Sequence, residues 1–305
     1  MLAPVVVFAY NRPDHLKKTL EALAKNDLAS ESVLFVYCDG AKAGVSEEQL
    51  EKVRQVREIA KAARGFGELH VVEREQNVGL KDNIIGAVTE IVNQYGRIIT
   101  LEDDVVPSAG FLRYMNDGLE MYAEEDHVMH ISAYMYPHQC RLPETFFYPV
   151  PYPGGGWATW QRAWSHYNDD AQELFDYWKD RLETFDIFGG DYLSKQLIGN
   201  CDGTLRTWFV KWYAVMRRMN ALTLYPGRSL TNNIGFDETA TNCCTTSKFD
   251  VLPTACVKVV RIPLAVNKKA CRVIYDFYQG HWYNKRRRRA AIRKVKEKLF
   301  FWKRG

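Results

Sequence analysis

Four short apolar runs in the first hundred residues, each leading through a polar turn into a helix-period segment, constrain this chain more than any other feature. PVVVFAY (4–10) leads through Asn-Arg-Pro-Asp into a helix with Leu16, Leu20 and Leu23 on one face. VLFVY (33–37) ends in Cys38-Asp39-Gly40 and precedes a long charged helix over roughly 46–64. LHVV (69–72) is followed by the turn Gln76-Asn77-Val78-Gly79 and a helix over about 80–95. RIITL (97–101) stops at Glu102-Asp103-Asp104. Unalternated β-branched runs that alternate with helices specify βαβ units, so the class is α/β with a mostly parallel sheet flanked by helices. In such sheets ligands bind outside the carboxyl ends of the strands. The polar residues Asn11, Arg12, Asp39, Gly40, Asn77 and the Glu-Asp-Asp run all fall there, which points to a nucleotide-type site.

With 305 residues, 47% of them hydrophobic and 26% charged, the chain suits one large domain or a domain with a subdomain. A disordered or collagen-like chain is excluded. No run approaches about 18 apolar residues, so no transmembrane helix is encoded. The N-terminus has no basic region and no small-residue cleavage site, and reads as a first strand rather than a signal peptide. The seven cysteines (Cys38, Cys140, Cys201, Cys243, Cys244, Cys256, Cys271) are scattered without CxxC spacing. Reduced cytoplasmic thiols are expected, not a zinc site or a disulfide framework. Charge is unevenly spread. Residues 285–305 carry 11 Lys/Arg against one Glu, net +10, which leaves 30 against 36, net −6, in the first 284.

After about residue 130 the strand–helix rhythm is lost. The segment 134–160 is rich in Tyr, Pro and Trp, helices are expected near 162–182, 191–198 and 205–219, and 226–256 reads as loop. Without a repeat or a Gly/Ser linker, the second half is expected to build onto the same sheet. The division is 1–130 with the nucleotide-type site, 131–284 as a second half, and 285–305 as a basic tail.

Three adjacent carboxylates repel one another and are costly to desolvate unless positive charge lies close. Glu102-Asp103-Asp104, directly after a buried strand, therefore suits a hard divalent cation, Mn²⁺ or Mg²⁺. The other reading is a solvated turn that caps the helix near 110–122. Arg12 is placed to meet a phosphate at a helix N-terminus, or to lie on the surface beside an Asp14 cap. Asp39 either accepts from a base or ribose or forms an Asp-Gly turn. Trp157, Trp160 and Trp164 fall at i, i+3 and i+7 and are expected on one helix face, entered from Gly154-Gly155-Gly156. Such a stripe reads first as core, with Trp157 also a candidate for contact with a sugar ring.

Six segments then occur in the order of a known family: FAYNRPDHL (8–16), YCDG (37–40), QNVGLKDNI (76–84), LEDDVVPSAGFLRY (101–114), GGGWATWQRAW (154–164) and LYPGRSLTNNIGFD (224–237). Together, over roughly 3–245, they resemble the GT-A-fold glycosyltransferases. The branch is that of the N-acetylglucosaminyltransferases acting on mannose and related bacterial enzymes of surface-polysaccharide synthesis. The resemblance implies a Rossmann-like GT-A fold and a nucleotide-sugar donor, a UDP-sugar, held by Mn²⁺ or Mg²⁺. It implies Arg12 at the diphosphate, Asp39 at the uracil, and Glu102 and Asp103 at the sugar and ribose. It also implies Asp104 at the metal, Asn77 and Lys81 on the donor, and a Gly156-Trp157 loop closing over donor sugar and acceptor. Last, the resemblance implies in-line attack by an acceptor hydroxyl that inverts the anomeric centre, with a carboxylate taking the proton.

Two departures from the family pattern bear on that base. Where relatives place Asp after the first Trp of a Ser-Trp-Asp-x-x-Trp stretch, this chain has Thr207-Trp208-Phe209-Val210-Lys211-Trp212, and where they end Gly-Thr-His it has Asn242. Two acids remain in the right part of the chain. Asp237, just after Asn-Ile-Gly, is preferred; Asp202 is either the base or a cap on the Trp208–Trp212 helix. A sugar nucleotidyltransferase is disfavoured because Ala9-Tyr10-Asn11-Arg12 lacks a Gly-rich phosphate loop. A glycosidase is disfavoured because adjacent carboxylates cannot flank one glycosidic bond. A catalytically impaired module binding anions or membrane is the remaining alternative. In the tail, Ile292, Val295, Leu299 and Trp302 form a stripe opposite Arg289, Arg293 and Lys296. That pattern predicts a basic amphipathic helix on an anionic membrane, suiting a lipid-linked acceptor at the inner face; a glycan acceptor is the other expectation. No nucleic acid partner is expected.

Overall fold

The computed structural model describes residues 1–187, 191–238 and 245–280. The expected tail helix and Asn242 lie outside these residues. The first half alternates β1 (Val5–Ala9), α1 (Pro13–Leu23), β2 (Val33–Cys38), α2 (Glu47–Ala62), β3 (Glu68–Glu73), α3 (Leu80–Tyr95) and β4 (Arg97–Glu102). Every residue of β1 is buried, as a parallel strand covered on both faces requires. Local chemistry sets the helix ends. Pro13 occupies the first turn of α1, Ser46 Oγ accepts from Gln49 N at α2, and Gly96 closes α3 in the left-handed conformation at φ 75°.

A short strand, β5 (Val105–Pro107), follows the carboxylate run, then α4 (Phe111–Met121) and β6 (Val128–Ser132). The second half adds β7 (Thr145–Tyr148), β8 (Trp157–Trp160), α5 (Gln161–Trp164), α6 (Ala171–Trp178), α7 (Leu182–Phe185) and α8 (Tyr192–Cys201). It ends with α9 (Phe209–Arg218), β9 (Leu222–Pro226), β10 (Thr231–Asn233) and α10 (Lys268–Tyr278). No described helix is long and apolar enough to cross a membrane.

Eight strands form one sheet in the order β3-β2-β1-β4-β8-β6-β9-β7, while β5 and β10 pair as an antiparallel ribbon. Strands β1, β2, β3, β4, β6 and β9 run one way; β8 and β7 run against them. This is the mostly parallel α/β architecture that the sequence predicts. β6 crosses residue 130, so the two halves share one sheet. From β1 the chain moves outward to β2 and β3, then returns to the other side of β1 as β4. The crevice at such a reversal is where open α/β sheets bind ligands. Arg12 and Glu102-Asp103-Asp104 emerge at these two carboxyl ends.

Trp157 and Trp160 lie on a strand, not on the expected helix; only Trp164 is helical. Three residues of spacing fit a helix, but β8 is hydrogen-bonded between β4 and β6, and neighbouring strands override a local period. Trp157 is buried, stacked on His130 and on Trp208 at centroid distances of 5.2 Å each.

His130 is fully buried, and its Nδ1 accepts from Trp212 Nε1 at 3.3 Å. Burial pushes its imidazole down to about 3, against an ordinary value of 6.5. Below pH 6.5 the unfolded chain takes up a proton that the folded chain refuses, so stability falls as pH drops through this window. Urea unfolding at pH 7 and pH 5 should show about 2 kcal/mol lost from this residue. His130→Gln, whose amide oxygen can still accept from Trp212, should lose about that much less. Equal pH dependence in both proteins would exclude His130 as the source.

Candidate active site

The positive charge that the three carboxylates require comes from within the chain. Arg12 Nη2 lies 2.5 Å from Asp103 Oδ1 and 2.8 Å from Asp104 Oδ2. Burial alone would lower the Arg12 pKa, but Asp103 and Asp104 outweigh it and raise it further, so the guanidinium stays charged. Its Nε and Nη1 make no hydrogen bond to described residues and can donate to a further oxyanion. Asp104 Oδ1 accepts from Asn233 Nδ2 at 3.2 Å, and Asn233 also donates to Gly154 O at 2.8 Å. The Ile234 N–H closes on Asp104 O at 2.8 Å. The carboxylate run thus joins the Gly154–Gly156 loop to the β10 strand.

Gly235 completes this contact. A Cβ there would sit 1.9 Å from Asp104 Oδ2 and 2.8 Å from Arg12 Nη1. Only glycine can pack this closely against that carboxylate and the guanidinium. Glu102 is half-buried and its carboxylate makes no hydrogen bond among the described residues. Burial first, then Asp104 and Asp103, raises its pKa well above the usual carboxylate range. Burial also raises Asp103, against the pull of Arg12. The helix-capping reading fails: β5 intervenes, α4 has Gly110 at its N-cap, and no acid lies in its first turn. Asp14 likewise makes no cap, because Arg12 holds that position and Pro13 opens the helix.

Asp39 is committed to a turn. Its two oxygens accept from Gly40 N, Val78 N and Gly79 N and from Asn77 Nδ2, at 2.9–3.0 Å. These four bonds match a carboxylate's capacity, and they tie the end of β2 to the start of α3. Asn77 Nδ2 also donates to Gly40 O at 2.8 Å. Lys81 is drawn elsewhere: its Nζ lies 2.6 Å from Asp169 Oδ2, and the nearly buried Lys211 pairs with the other oxygen of Asp169. Asp169 was not singled out in the sequence, and Lys211 appeared there only as part of the Trp208–Trp212 stretch. A buried ammonium requires a carboxylate partner, which is the physical reason for the cluster.

Gly156, at φ +76°, is tight against Phe111 at the start of β8, and Trp157 beyond it is strand core rather than a closing loop. Asp202 caps no following helix. It ends α8 and accepts from Thr204 N at 2.9 Å and Thr204 Oγ1 at 2.6 Å, which lowers its pKa. Asp237 Oδ2 lies 3.0 Å from His15 Nε2 on α1, so the preferred acid belongs to a pair. His15 and Asp237 also line a cavity of about 490 Å³ with Lys18, Asn232 and Ile234. Phe209 opens α9, with Trp208 packed on Trp157 and Trp164. The Asn233 and Gly235 contacts had one signal in the sequence, the Asn-Ile-Gly of the family resemblance; the His15 pairing had none.

No family model matches the chain, and no curated protein does. Among solved structures it is similar to S. aureus TarS 1-349, at 14% identity over 77% of this chain and 61% of that one, TM-score 0.42. It is similar to the galactosyltransferase LgtC in complex with donor and acceptor sugar analogs, at 12% identity over 58% and 65%, TM-score 0.34. It is also similar to mouse xyloside xylosyltransferase 1, at 10% identity over 72% and 82%, TM-score 0.39. A longer TarS chain is covered for only 23% of its length, and TarS 1-349 in complex with UDP for 38%. These are partial likenesses, and the chain's own side chains have to carry the chemistry.

Proposed function

We propose that this chain is a GT-A-fold glycosyltransferase that moves a sugar from a UDP-sugar to a glycan or lipid-linked acceptor, with inversion, in polysaccharide biosynthesis. The observation that supports it is the Arg12–Asp103–Asp104 bridge at the carboxyl ends of β1 and β4, joined through Asn233 to a glycine loop. In this reading the unused donors of Arg12 bind the diphosphate. Glu102, whose oxygens have no donor among the described residues, accepts from hydroxyls of the donor sugar. Asp237, oriented by His15, takes the proton of the attacking hydroxyl.

A divalent cation fits Asp104. Its carboxylate oxygens are hard donors of the kind these cations prefer, and it ends the carboxylate run at the sheet's carboxyl edge. Among the described residues no cluster of three His, Cys, Asp or Glu could cage a metal ion. One carboxylate plus substrate phosphates is a usual Mg²⁺ arrangement, with Mn²⁺ suited to the same oxygen ligands. Bound there, the cation supplies charge neutralisation for the leaving diphosphate.

Incubating the protein with Mn²⁺ and a panel of nucleotide sugars should release nucleoside diphosphate from one of them. Chelation and Asp104→Ala should each lower that release by at least about 100-fold, with the fold intact by circular dichroism. If Asp104→Ala bound the UDP-sugar as tightly as wild type, with or without chelator, the metal reading would be wrong. No release from any nucleotide sugar would reject glycosyl transfer.

A further inference from the structure

Beside the candidate site, one cation stands apart from the others in its surroundings. Arg12, Lys81 and Lys211 each have a carboxylate partner. Lys248 is half-buried, yet its ammonium makes no hydrogen bond or ion pair among the described residues. Its Nζ lies 4.8 Å from the ring centroid of Phe277, 5.7 Å from Phe249 and 5.8 Å from Tyr278. Aromatic faces attract the charge but offer no lone pairs to its three N–H donors. Burial accordingly lowers its pKa.

This nest is stitched to the catalytic end. Phe236 follows Gly235 directly, and its ring stacks on Phe249 at 4.9 Å and 16°. Thr246 N donates to Phe236 O at 3.0 Å, and Val251 N donates to Asn232 Oδ1 at 3.0 Å. The segment carrying Lys248 is therefore pinned along β10 and the residues just after it, where Asn233 and Gly235 contact Asp104. Half-buried Phe236, Phe249 and Tyr278 offer apolar area around one polar group, the composition of a small-ligand site.

We propose that Lys248 and the rings of Phe236, Phe249 and Tyr278 form an acceptor subsite that recognises a phosphate or carboxylate carried on or beside the acceptor sugar. The inference rests on the glycosyl-transfer reading and names the acceptor class that reading leaves open: an anionic glycan or a sugar linked to a lipid through diphosphate. The ammonium donates to the oxyanion while the rings cover the sugar's apolar face.

Calorimetric binding to the full chain tests this with four probes: a methyl hexoside, its 6-phosphate, the corresponding methyl uronoside, and a short-chain lipid diphosphate hexose. At least one anionic probe should bind about tenfold or more tightly than the neutral one, the size expected of a charge-assisted hydrogen bond. Lys248→Met should erase the difference, and Lys248→Arg should keep it. Preference for the soluble phosphate or uronoside assigns the charge to the glycan; preference confined to the lipid probe assigns it to the lipid diphosphate. Equal binding of all four by wild type, or an unchanged preference in Lys248→Met, overturns the proposal. UDP-sugar binding, measured in parallel, should be the same in Lys248→Met as in wild type. If neither binds a nucleotide sugar, glycosyl transfer fails, and the anionic-probe comparison is then judged by itself.

Discussion

Arg12→Met is expected to lose about 3 kcal/mol of stability at neutral pH together with donor binding. Removing one partner of a buried ion pair leaves the other charge uncompensated, typically at about 3–5 kcal/mol. The lower end applies because the Arg12 side chain retains 18% exposure. Asp103 and Asp104 are both buried, at 4% and 7%, and the other donors that the structure gives their side chains are neutral, the Asn233 amide and the Tyr10 backbone N–H. Urea unfolding gives the measurement. The double variant Arg12→Met/Asp103→Asn should recover part of the loss, because it removes one of the stranded charges. A midpoint for Arg12→Met equal to that of wild type would mean that the carboxylates are neutralised by something other than this guanidinium.

Gly235→Ala is expected to lower turnover and donor affinity by at least about 100-fold, the cost of misplacing a group that stabilises the reacting charge. The new methyl would stand 1.9 Å from Asp104 Oδ2, and that carboxylate is short, buried and held by Arg12. It has to rotate off both Arg12 and Asn233. Gly154→Ala is the control. There the added Cβ meets Tyr152 Oη at 3.5 Å and Asn233 Nδ2 at 3.7 Å, both ordinary contacts. Comparable losses in the two variants would point to general loosening of the glycine loop instead of displacement of Asp104.

Much of the first half was legible because its information is local. A run such as Val5-Val6-Val7 repeats no helical period, Leu16, Leu20 and Leu23 do, and Pro13, Ser46 and Gly96 mark helix ends through backbone chemistry of their own. The four strands and the second and third helices therefore lie within one or two residues of their expected bounds. That the carboxylates end a strand, and that they require a positive neighbour, also followed from their order along the chain.

Which group supplies that charge did not. Arg12 reaches Asp104 across 92 residues, and the pairing exists because β1 and β4 are neighbours in the sheet. The same holds for Lys81 with Asp169 and His15 with Asp237, each of which moved an expected site residue into a partnership no motif announced. Trp157 was misread for a related reason: a spacing of three is written in the chain, but the strand conformation is imposed by β4 and β6 on either side. The sequence by itself determined the strand–helix rhythm, the sheet's carboxyl edge as the place for chemistry, and the residue types gathered there. Only the tertiary structure decided which carboxylates are compensated and by what, because counter-charges and hydrogen-bond donors are shared between elements distant in the chain, and desolvation makes each buried charge depend on whichever element folds against it.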